Sequence, residues 1–283
     1  MIDDPVHEAV HLALAEDLGQ GEHSDLTTGA IVPEGVRGHA RLIAREDAVL
    51  AGTEAFDLSF LAFDPQAIIQ WNAKQGDRVH AGDVVATVDA DLRAILTAER
   101  TALNFIQRAS GVATHTRRFV DAAGGTEVRD TRKTIPGIRL LQKEAVRAGG
   151  GVNHRMGLHD AILIKDNHIA FAGSVSEAIS RVQKAFPALW VEVECETLDQ
   201  VREALDAGAN EILLDNMDPP TMAEAVKMTK GRAKTEASGG VTLDTIGAIA
   251  ATGVDSISVG AMTHSAPAVD FSLEVEPPDA ARG

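Results

Sequence analysis

The 283-residue sequence has no tyrosine, only two tryptophans and a single cysteine. One thiol, Cys195, cannot form an intramolecular disulfide, and no Cys or His lies near it at the spacing of a zinc site. No run of about 18 apolar residues is present, so a membrane-spanning helix is not expected. Residues 1–5 carry acids where a secretory signal needs bases. These absences predict a soluble, cytoplasmic protein.

Basic residues are also scarce, because 26 Lys and Arg stand against 42 Asp and Glu and give a formal net charge of −16. This excess argues against binding to nucleic acid or to an anionic membrane. Residues 129–168 nevertheless carry a net charge of +4, and the rest of the chain carries −20. Charge pairs along a helix account for Lys143 and Arg147 in that stretch. The remaining bases lie in turn-like surroundings and predict an anion site: Arg132, Lys133, Arg155 and Lys165.

The length and composition, with 45% hydrophobic and 24% charged residues, fit one large α/β domain or two modest ones. In the second half, short β-prone apolar runs begin at 161, 190, 211, 233 and 256, and helix patterns such as 176–182 and 198–205 lie between them. Such a repeat predicts βαβ units. Polar or glycine-rich residues follow every run, which favours a (β/α) barrel over an open sheet.

The first hundred residues have a different pattern. Residues 39–44 alternate like a strand, residues 76–85 predict two short strands joined by a turn, and residues 97–113 carry a helical apolar stripe. We therefore expect a separate N-terminal α+β domain, linked to the second by that helix.

Two loops of the second half are suited to hold a phosphate monoester. Ser238-Gly239-Gly240 offers bare backbone N–H groups after one predicted strand, and Gly260-Ala261 does so after the next. Glu194 and Asp215 end the two preceding strands and place carboxylates at the same mouth, where they can hold sugar hydroxyls or Mg²⁺. The residues alone thus predict an enzyme acting on a phosphorylated sugar and on a second, carboxylate-bearing anion.

Five segments in this order resemble the quinolinate phosphoribosyltransferase family, namely 98–104 (AERTALN), 130–139 (DTRKTIPGIR), 149–155 (GGGVNHR), 164–168 (IKDNH) and 259–265 (VGAMTHS). The resemblance extends over nearly the whole chain. It implies an α/β fold in which an N-terminal α/β sandwich precedes an incomplete (β/α) TIM-like barrel. The boundaries that we expect are 1–112, rejoined by the tail 266–283, and 113–265 for the barrel.

The resemblance also implies an activity. Phosphoribosyl pyrophosphate and quinolinate would give nicotinate mononucleotide, pyrophosphate and CO₂, with Mg²⁺ as cofactor, in NAD biosynthesis. The family's homodimer implies that Arg100 reaches the substrate of the neighbouring subunit.

The roles carried over from the family fall into three groups. The quinolinate carboxylates would be held by Arg132, His154, Arg155 and Lys165, with Lys133 between the two substrates. Glu194 and Asp215 would meet the ribose and Mg²⁺, and with Lys133 form the catalytic set. The 5′-phosphate would lie against Ser238, Gly239, Gly240, Gly260, Ala261 and His264.

Three alternatives stay open at this point. One is the molybdenum-transport-associated relative of the same fold, although the segments around Arg132 and His154 are intact here. A second is nicotinate phosphoribosyltransferase, whose monocarboxylate substrate needs fewer bases. A third is a barrel without catalytic activity that senses a phosphorylated metabolite. No Ser-His-Asp pattern indicates nucleophilic catalysis, and Cys195 is expected to be a core residue.

Overall fold

The structure, a computed structural model, describes residues 5–19 and 25–276 of the chain. The chain divides into two units. Unit 1 comprises Met1–Arg117, Thr134–Gly150 and Ala266–Gly283, and unit 2 comprises Arg118–Lys133 and Gly151–Ser265.

The helices of the described residues are α1 (Pro5–Leu18), α2 (Leu26–Ile31), α3 (Thr53–Leu61), α4 (Leu92–Ala122), α5 (Arg139–Ala148), α6 (Asp166–Ala172), α7 (Val175–Ala185), α8 (Leu198–Asp206), α9 (Pro219–Thr229), α10 (Ile246–Ala250) and α11 (Ala261–His264). The strands are β1 (Arg37–Ala44), β2 (Ala48–Val49), β3 (Ile68–Trp71), β4 (Arg78–Val79), β5 (Val84–Asp91), β6 (Glu127–Arg129), β7 (Ile162–Ile164), β8 (Val191–Cys195), β9 (Glu211–Asp215), β10 (Lys234–Ser238), β11 (Ser256–Ser258) and β12 (Phe271–Glu276). No helix among the described residues combines the length and apolarity that a membrane span requires.

Unit 1 is built on an antiparallel sheet in the order β12-β1-β5-β3, beside a small β2-β4 pair. Alternate residues of β1 are buried, as the sequence pattern predicts. Phe56 packs edge-on against Phe60 and Trp71 in the core of this unit. The predicted helix at 97–113 is confirmed and is longer than predicted, since α4 covers Leu92–Ala122.

The segment 134–150, which the predicted boundaries place in the barrel, groups with unit 1. It contains α5, whose end lies directly against α4. A Cβ at Gly149 would lie 2.7 Å from Thr116 Cβ, closer than real Cβ atoms approach one another. Only glycine permits this approach.

Unit 2 contains a parallel sheet in the order β6-β11-β10-β9-β8-β7. The five predicted apolar runs are confirmed as β7 to β11, while β6 was not predicted. Because β6 pairs with β11 and not with β7, the sheet stays open between β6 and β7, as an incomplete barrel does. The predicted α/β fold with an N-terminal antiparallel sheet and a TIM-like second part is confirmed.

Helix ends in unit 2 follow the signals of the sequence. Ser174, Thr197 and Asp218 cap α7, α8 and α9 by accepting a backbone N–H of the first turn. Gly208 and Gly253 have φ values of +81° and +88°, the left-handed conformation that glycine adopts after a helix. Gly208 and Gly253 thus end α8 and α10 a few residues before β9 and β11 begin.

Candidate active site

A cavity of about 540 Å³ lies at the carboxyl ends of the parallel strands of unit 2. Its walls contain ten of the fourteen predicted site residues: Arg132, Lys133, His154, Arg155, Lys165, Glu194, Asp215, Ser238, Gly239 and Gly240. Seven residues that were not predicted complete the lining: Asp130, Thr131, Leu163, Leu213, Asn216, Glu236 and Ser258. All of these residues belong to unit 2. The strands of a parallel sheet bring their carboxyl ends to one edge, so residues distant in sequence converge there.

The basic side of the cavity contains two cations without an ionic partner. Neither Arg132 nor Lys133 makes a side-chain hydrogen bond or ion pair to any described residue, and Arg132 Nε is buried. The side chain of Lys133 packs on Gly260, and its backbone carbonyl accepts a hydrogen bond from Thr263 Oγ1 at 2.9 Å. A buried N–H donor without an acceptor costs free energy, and an anion in the cavity would neutralise the two charges.

Arg155 and Lys165 complete this basic side. Burial, and then the positive charge of Arg132, lower the pKa of Arg155. The two guanidinium groups therefore repel each other, and an anion between them would relieve that repulsion. Lys165 Nζ lies 3.3 Å from Glu194 Oε2 and connects the basic side of the cavity to its acidic side.

The acidic side consists of Glu194 and Asp215, at the ends of β8 and β9. Burial raises the pKa of Glu194, and the charges of Asp215 and Asp166 raise it further, while Lys165 opposes the shift. Two carboxylates that disfavour each other's charge are a suitable place for a divalent cation or for sugar hydroxyls.

The loop after β10 closes the cavity with bare backbone. Gly239 has φ +97°, and a Cβ there would overlap the side chain of Asn216. Asn216 itself has φ +53° and is the only non-glycine residue with positive φ in the described part of the chain. Its amide Nδ2 donates to Asp215 Oδ2 at 2.7 Å, and its N–H donates to the Ser238 carbonyl at 2.9 Å. Both left-handed residues thus shape one turn beside Asp215.

Four predicted residues do not line the cavity. Gly260, Ala261 and His264 lie at the start and the end of α11. A Cβ on Gly260 would lie 3.0 Å from Lys133 Cδ and 3.3 Å from His264 Nε2. This turn therefore adjoins the cavity through the side chain of Lys133. Arg100 is an exposed residue of α4 in unit 1.

A group of buried charges at the base of the cavity was not predicted, with Glu236 in the cavity wall and Glu192 behind it. Glu192 and Glu236 are 4% and 0% exposed, and Arg129 Nη1 donates to Glu236 and to Glu211, at 2.7 Å in each case. The sequence signal that could have indicated Glu192 is the alternation of acidic and apolar residues in Val191–Cys195. A strand with one face in solvent has the same alternation, so the signal did not show that Glu192 is buried. Burial and the Glu192 charge raise the pKa of Glu236.

His154 connects this buried layer with the cavity. Its Nε2 lies 3.0 Å from Glu192 Oε2, and its backbone N–H donates to the buried Asp130 Oδ1 at 2.9 Å. Burial lowers the pKa of His154, but the hydrogen bond to Glu192 and the charge of Glu236 outweigh burial and raise it.

The arrangement can bind two anions and a divalent cation at once. The unpaired cations suit carboxylates or pyrophosphate, the glycine loop suits a phosphate monoester, and the carboxylates suit a ribose or a metal. The hydroxyl groups in the cavity wall, those of Thr131, Ser238 and Ser258, have no histidine base in hydrogen-bond contact among the described residues.

Comparison with known proteins gives the family. The models "Quinolinate phosphoribosyl transferase, N-terminal domain" and "Quinolinate phosphoribosyl transferase, C-terminal domain" match residues 25–110 and 112–274. The chain belongs to the quinolinate phosphoribosyltransferase family.

Its relatives include the probable nicotinate-nucleotide pyrophosphorylase [carboxylating] of Bacillus subtilis, at 42% identity over 272 residues, covering 94% of each chain. The quinolinate phosphoribosyltransferase [decarboxylating] 2b, mitochondrial, of Nicotiana tabacum is 42% identical over 288 residues, which cover 95% of this chain and 82% of the relative. The solved structure of the nicotinate-nucleotide pyrophosphorylase from Francisella tularensis superposes with a TM-score of 0.90 at 40% identity and covers 98% of both chains.

Proposed function

We propose that this chain transfers the phosphoribosyl group of phosphoribosyl pyrophosphate to quinolinate, with loss of pyrophosphate and CO₂, and so makes nicotinate mononucleotide for NAD biosynthesis. The observation that carries the proposal is the pair of cations, Arg132 and Lys133, which have no ionic partner among the described residues and lie in a cavity that also contains Glu194, Asp215 and a glycine loop. Family membership supports the same activity.

The basic side of the cavity is the proposed site for quinolinate. Arg132 and Arg155 offer guanidinium forks for its two carboxylates, and Lys165 adds a point charge beside them. A dicarboxylate neutralises two neighbouring cations at once, whereas a monocarboxylate leaves one of them unpaired. This difference favours quinolinate over nicotinate as the acceptor.

The sugar phosphate is assigned to the opposite side. Ser238, Gly239 and Gly240 present backbone N–H groups for the 5′-phosphate, and the Gly260–His264 turn can add to them. Glu194 and Asp215 would hold the ribose hydroxyls. Lys133 lies between the basic side and this turn, where it can neutralise charge that develops on departing pyrophosphate.

In the reaction the pyridine nitrogen forms a bond to the anomeric carbon as the bond from that carbon to the pyrophosphate oxygen breaks. The quaternary nitrogen then withdraws electrons. The bond from ring carbon 2 to its carboxylate breaks, its electron pair stays on carbon 2 beside the cationic nitrogen as CO₂ leaves, and a proton from solvent then binds to that carbon. The residues of the cavity bind, orient and neutralise charge, and no covalent enzyme intermediate is needed.

Mg²⁺ is proposed as the cofactor, and the donor set fits it. Glu194 and Asp215 are oxygen ligands near enough for the charge of Asp215 to raise the pKa of Glu194. When bound there, Mg²⁺ would neutralise phosphate oxygens of phosphoribosyl pyrophosphate.

We also propose a homodimer in which Arg100 serves the partner's substrate. The position of Arg100, exposed on α4 and absent from the cavity of its own chain, supports this assignment. A cytoplasmic location stays a prediction.

The test is an assay with quinolinate, phosphoribosyl pyrophosphate and Mg²⁺, run in parallel with nicotinate and nicotinamide. We expect nicotinate mononucleotide, pyrophosphate and CO₂ in equal amounts from quinolinate alone. Product from nicotinate without CO₂ would identify a monocarboxylate enzyme. Binding of phosphoribosyl pyrophosphate without any product would instead favour a sensor or the molybdenum-transport-associated relative.

A further inference from the structure

Glu192 is a buried carboxylate for which the proposed reaction gives no role. It lies on β8, two residues before Glu194, is 4% exposed, and is not part of the cavity wall. Among the described residues its only hydrogen-bond partner is His154, and its second oxygen, Oε1, is buried without any partner. A buried carboxylate with a single hydrogen bond does not stabilise a fold, because desolvation outweighs the gain.

The neighbouring buried acids are held differently. Glu236 accepts hydrogen bonds from Arg129, at 2.7 Å, and from Ser258. Glu211 accepts from Arg129, at 2.7 Å, and from Trp190 Nε1, at 3.1 Å. Both therefore have the partners that a structural role requires, and Glu192 does not.

The contact of Glu192 determines the state of the His154 ring. Nε2 must carry a proton to donate to Glu192 Oε2, at 3.0 Å, while Nδ1 accepts the backbone N–H of Arg155 at 2.7 Å and so carries no proton. Both ring nitrogens are engaged with protein atoms in this arrangement. The Arg155 N–H points at Nδ1 and therefore disfavours a second proton at that nitrogen. The carboxylates of Glu192 and Glu236 have the opposite effect and favour the doubly protonated ring.

The same ring fixes the backbone around Arg155. Asp130 Oδ1 holds the N–H of His154 at 2.9 Å, and the His154 ring holds the next N–H along the chain. Two consecutive amides are thus clamped, which sets the direction in which the side chain of Arg155 leaves the backbone. Its guanidinium then reaches into the cavity and lies 3.5 Å from the Ala161 carbonyl.

A cation site is the other arrangement that His154, Glu192 and Glu236 could form, since their ligand atoms lie within 4.8 Å of one another. Arg129 and Ser258 already occupy the two oxygens of Glu236, and the guanidinium brings a positive charge into the cluster. The short contact from Nε2 to Glu192 is that of a hydrogen bond.

We propose that Glu192 is a positioning residue of the acceptor site: it fixes His154 in the Nε2–H tautomer, so that Nδ1 holds the Arg155 amide and aims the guanidinium at the substrate carboxylate. The inference rests on the proposed function for the identity of that substrate. The tautomer of His154 is a property of the free protein, so this part of the inference does not depend on the proposed function.

Glu192→Gln is the direct test, because its amide is isosteric and can donate to Nε2 as readily as accept from it, which releases the tautomer. The matched control is Glu211→Gln, which removes a buried carboxylate charge from the same network without touching His154. Two readouts apply to each protein: ¹⁵N chemical shifts of the His154 ring, assigned with a His154→Gln variant, and dissociation constants for quinolinate and phosphoribosyl pyrophosphate from calorimetry.

For the wild type we expect an unprotonated Nδ1. In Glu192→Gln we expect a mixture of tautomers, quinolinate affinity about tenfold weaker, and unchanged affinity for phosphoribosyl pyrophosphate. Glu211→Gln should leave all three unchanged. The proposal is wrong if the ring shifts of Glu192→Gln match the wild type, if both ligands weaken equally, or if the control behaves in the same way.

Two further arms keep the test decisive. If Glu192→Gln does not fold, Glu192→Met removes the acceptor together with the costly buried charge, and the same readouts apply. If the wild type binds no quinolinate, the proposed function fails, while the ring shifts still decide whether Glu192 fixes the tautomer.

Discussion

Replacing Arg132 by methionine should separate activity from stability in this protein. Its Nε is buried without a hydrogen-bond acceptor, its side chain has no ion pair among the described residues, and its charge lowers the pKa of the nearby Arg155. The unsatisfied donor and the repulsion between the two guanidinium groups both cost free energy in the free protein, and a bound anion would relieve the repulsion. Arg132→Met keeps an unbranched apolar stem in place of the inner part of the side chain and removes the donors and the charge.

The magnitude follows from the unsatisfied donor, which costs about 1–3 kcal/mol. Allowing for lost packing, we expect the free energy of unfolding to rise by about 1 kcal/mol, which corresponds to an increase of about 2–4 °C in Tm for a chain of this size class. The loss of a two-bond, charge-assisted contact to a carboxylate, about 3 kcal/mol, should lower kcat/KM for quinolinate more than 100-fold.

The assays are denaturant unfolding followed by circular dichroism, and initial rates at varied quinolinate with saturating phosphoribosyl pyrophosphate. Arg181→Met is the matched control, because Arg181 is exposed on α7 and forms an ion pair with Glu177 at 2.8 Å. The control should lose at most about 0.5 kcal/mol and keep its kcat/KM. The reasoning is refuted if Arg132→Met is less stable than the wild type, or if its kcat/KM for quinolinate stays within a few-fold of it.

Three further predictions concern other parts of the chain. Gly239→Ala should cost about 1–3 kcal/mol and raise KM for phosphoribosyl pyrophosphate, measured by thermal unfolding and kinetics, because φ +97° strains an L residue and its Cβ would overlap Asn216. Burial raises the pKa of Asp57 from 3.8 to about 6, so the native state binds more protons than the unfolded state in that window. The contribution of Asp57 to the unfolding free energy should therefore fall as pH rises from 3.8 to about 6, and it is measured as the difference between the wild type and Asp57→Asn over that range. Burial raises the pKa of Cys195 to about 12, so iodoacetamide should label it only on unfolding, as mass spectrometry of native and denatured protein will show.

The parts of the fold that the sequence predicts are those with a local signal. Gly208 and Gly253 mark helix ends, the apolar runs mark β7 to β11, and polar residues after each run mark the edge where the cavity forms. Each signal depends on a few neighbouring residues and therefore needs no knowledge of the rest of the chain.

The parts that were missed depend on distant contacts. β6, Glu127–Arg129, is three residues long and charged at both ends, so it is a strand only because β11 pairs with it. Likewise Glu192 has the alternation of a solvent-facing strand, and only its neighbours in the parallel sheet make that face an interior. The pairing of distant strands in the sheet, which no short segment encodes, decides both whether β6 forms and whether Glu192 is buried.

Pairing, more than charge, distinguishes the structural from the functional cations of the basic stretch. Arg129 and Arg132 are three residues apart and are equivalent in any count of charge. Arg129 ends β6 and pairs with carboxylates of three other positions, Glu127, Glu211 and Glu236. Arg132 lies beyond the strand end, where the sheet offers no carboxylate that contacts it. The end of β6 therefore separates a charge that the fold neutralises from one that has no carboxylate partner among the described residues, and this difference supports the proposed position of the substrate anion beside Arg132.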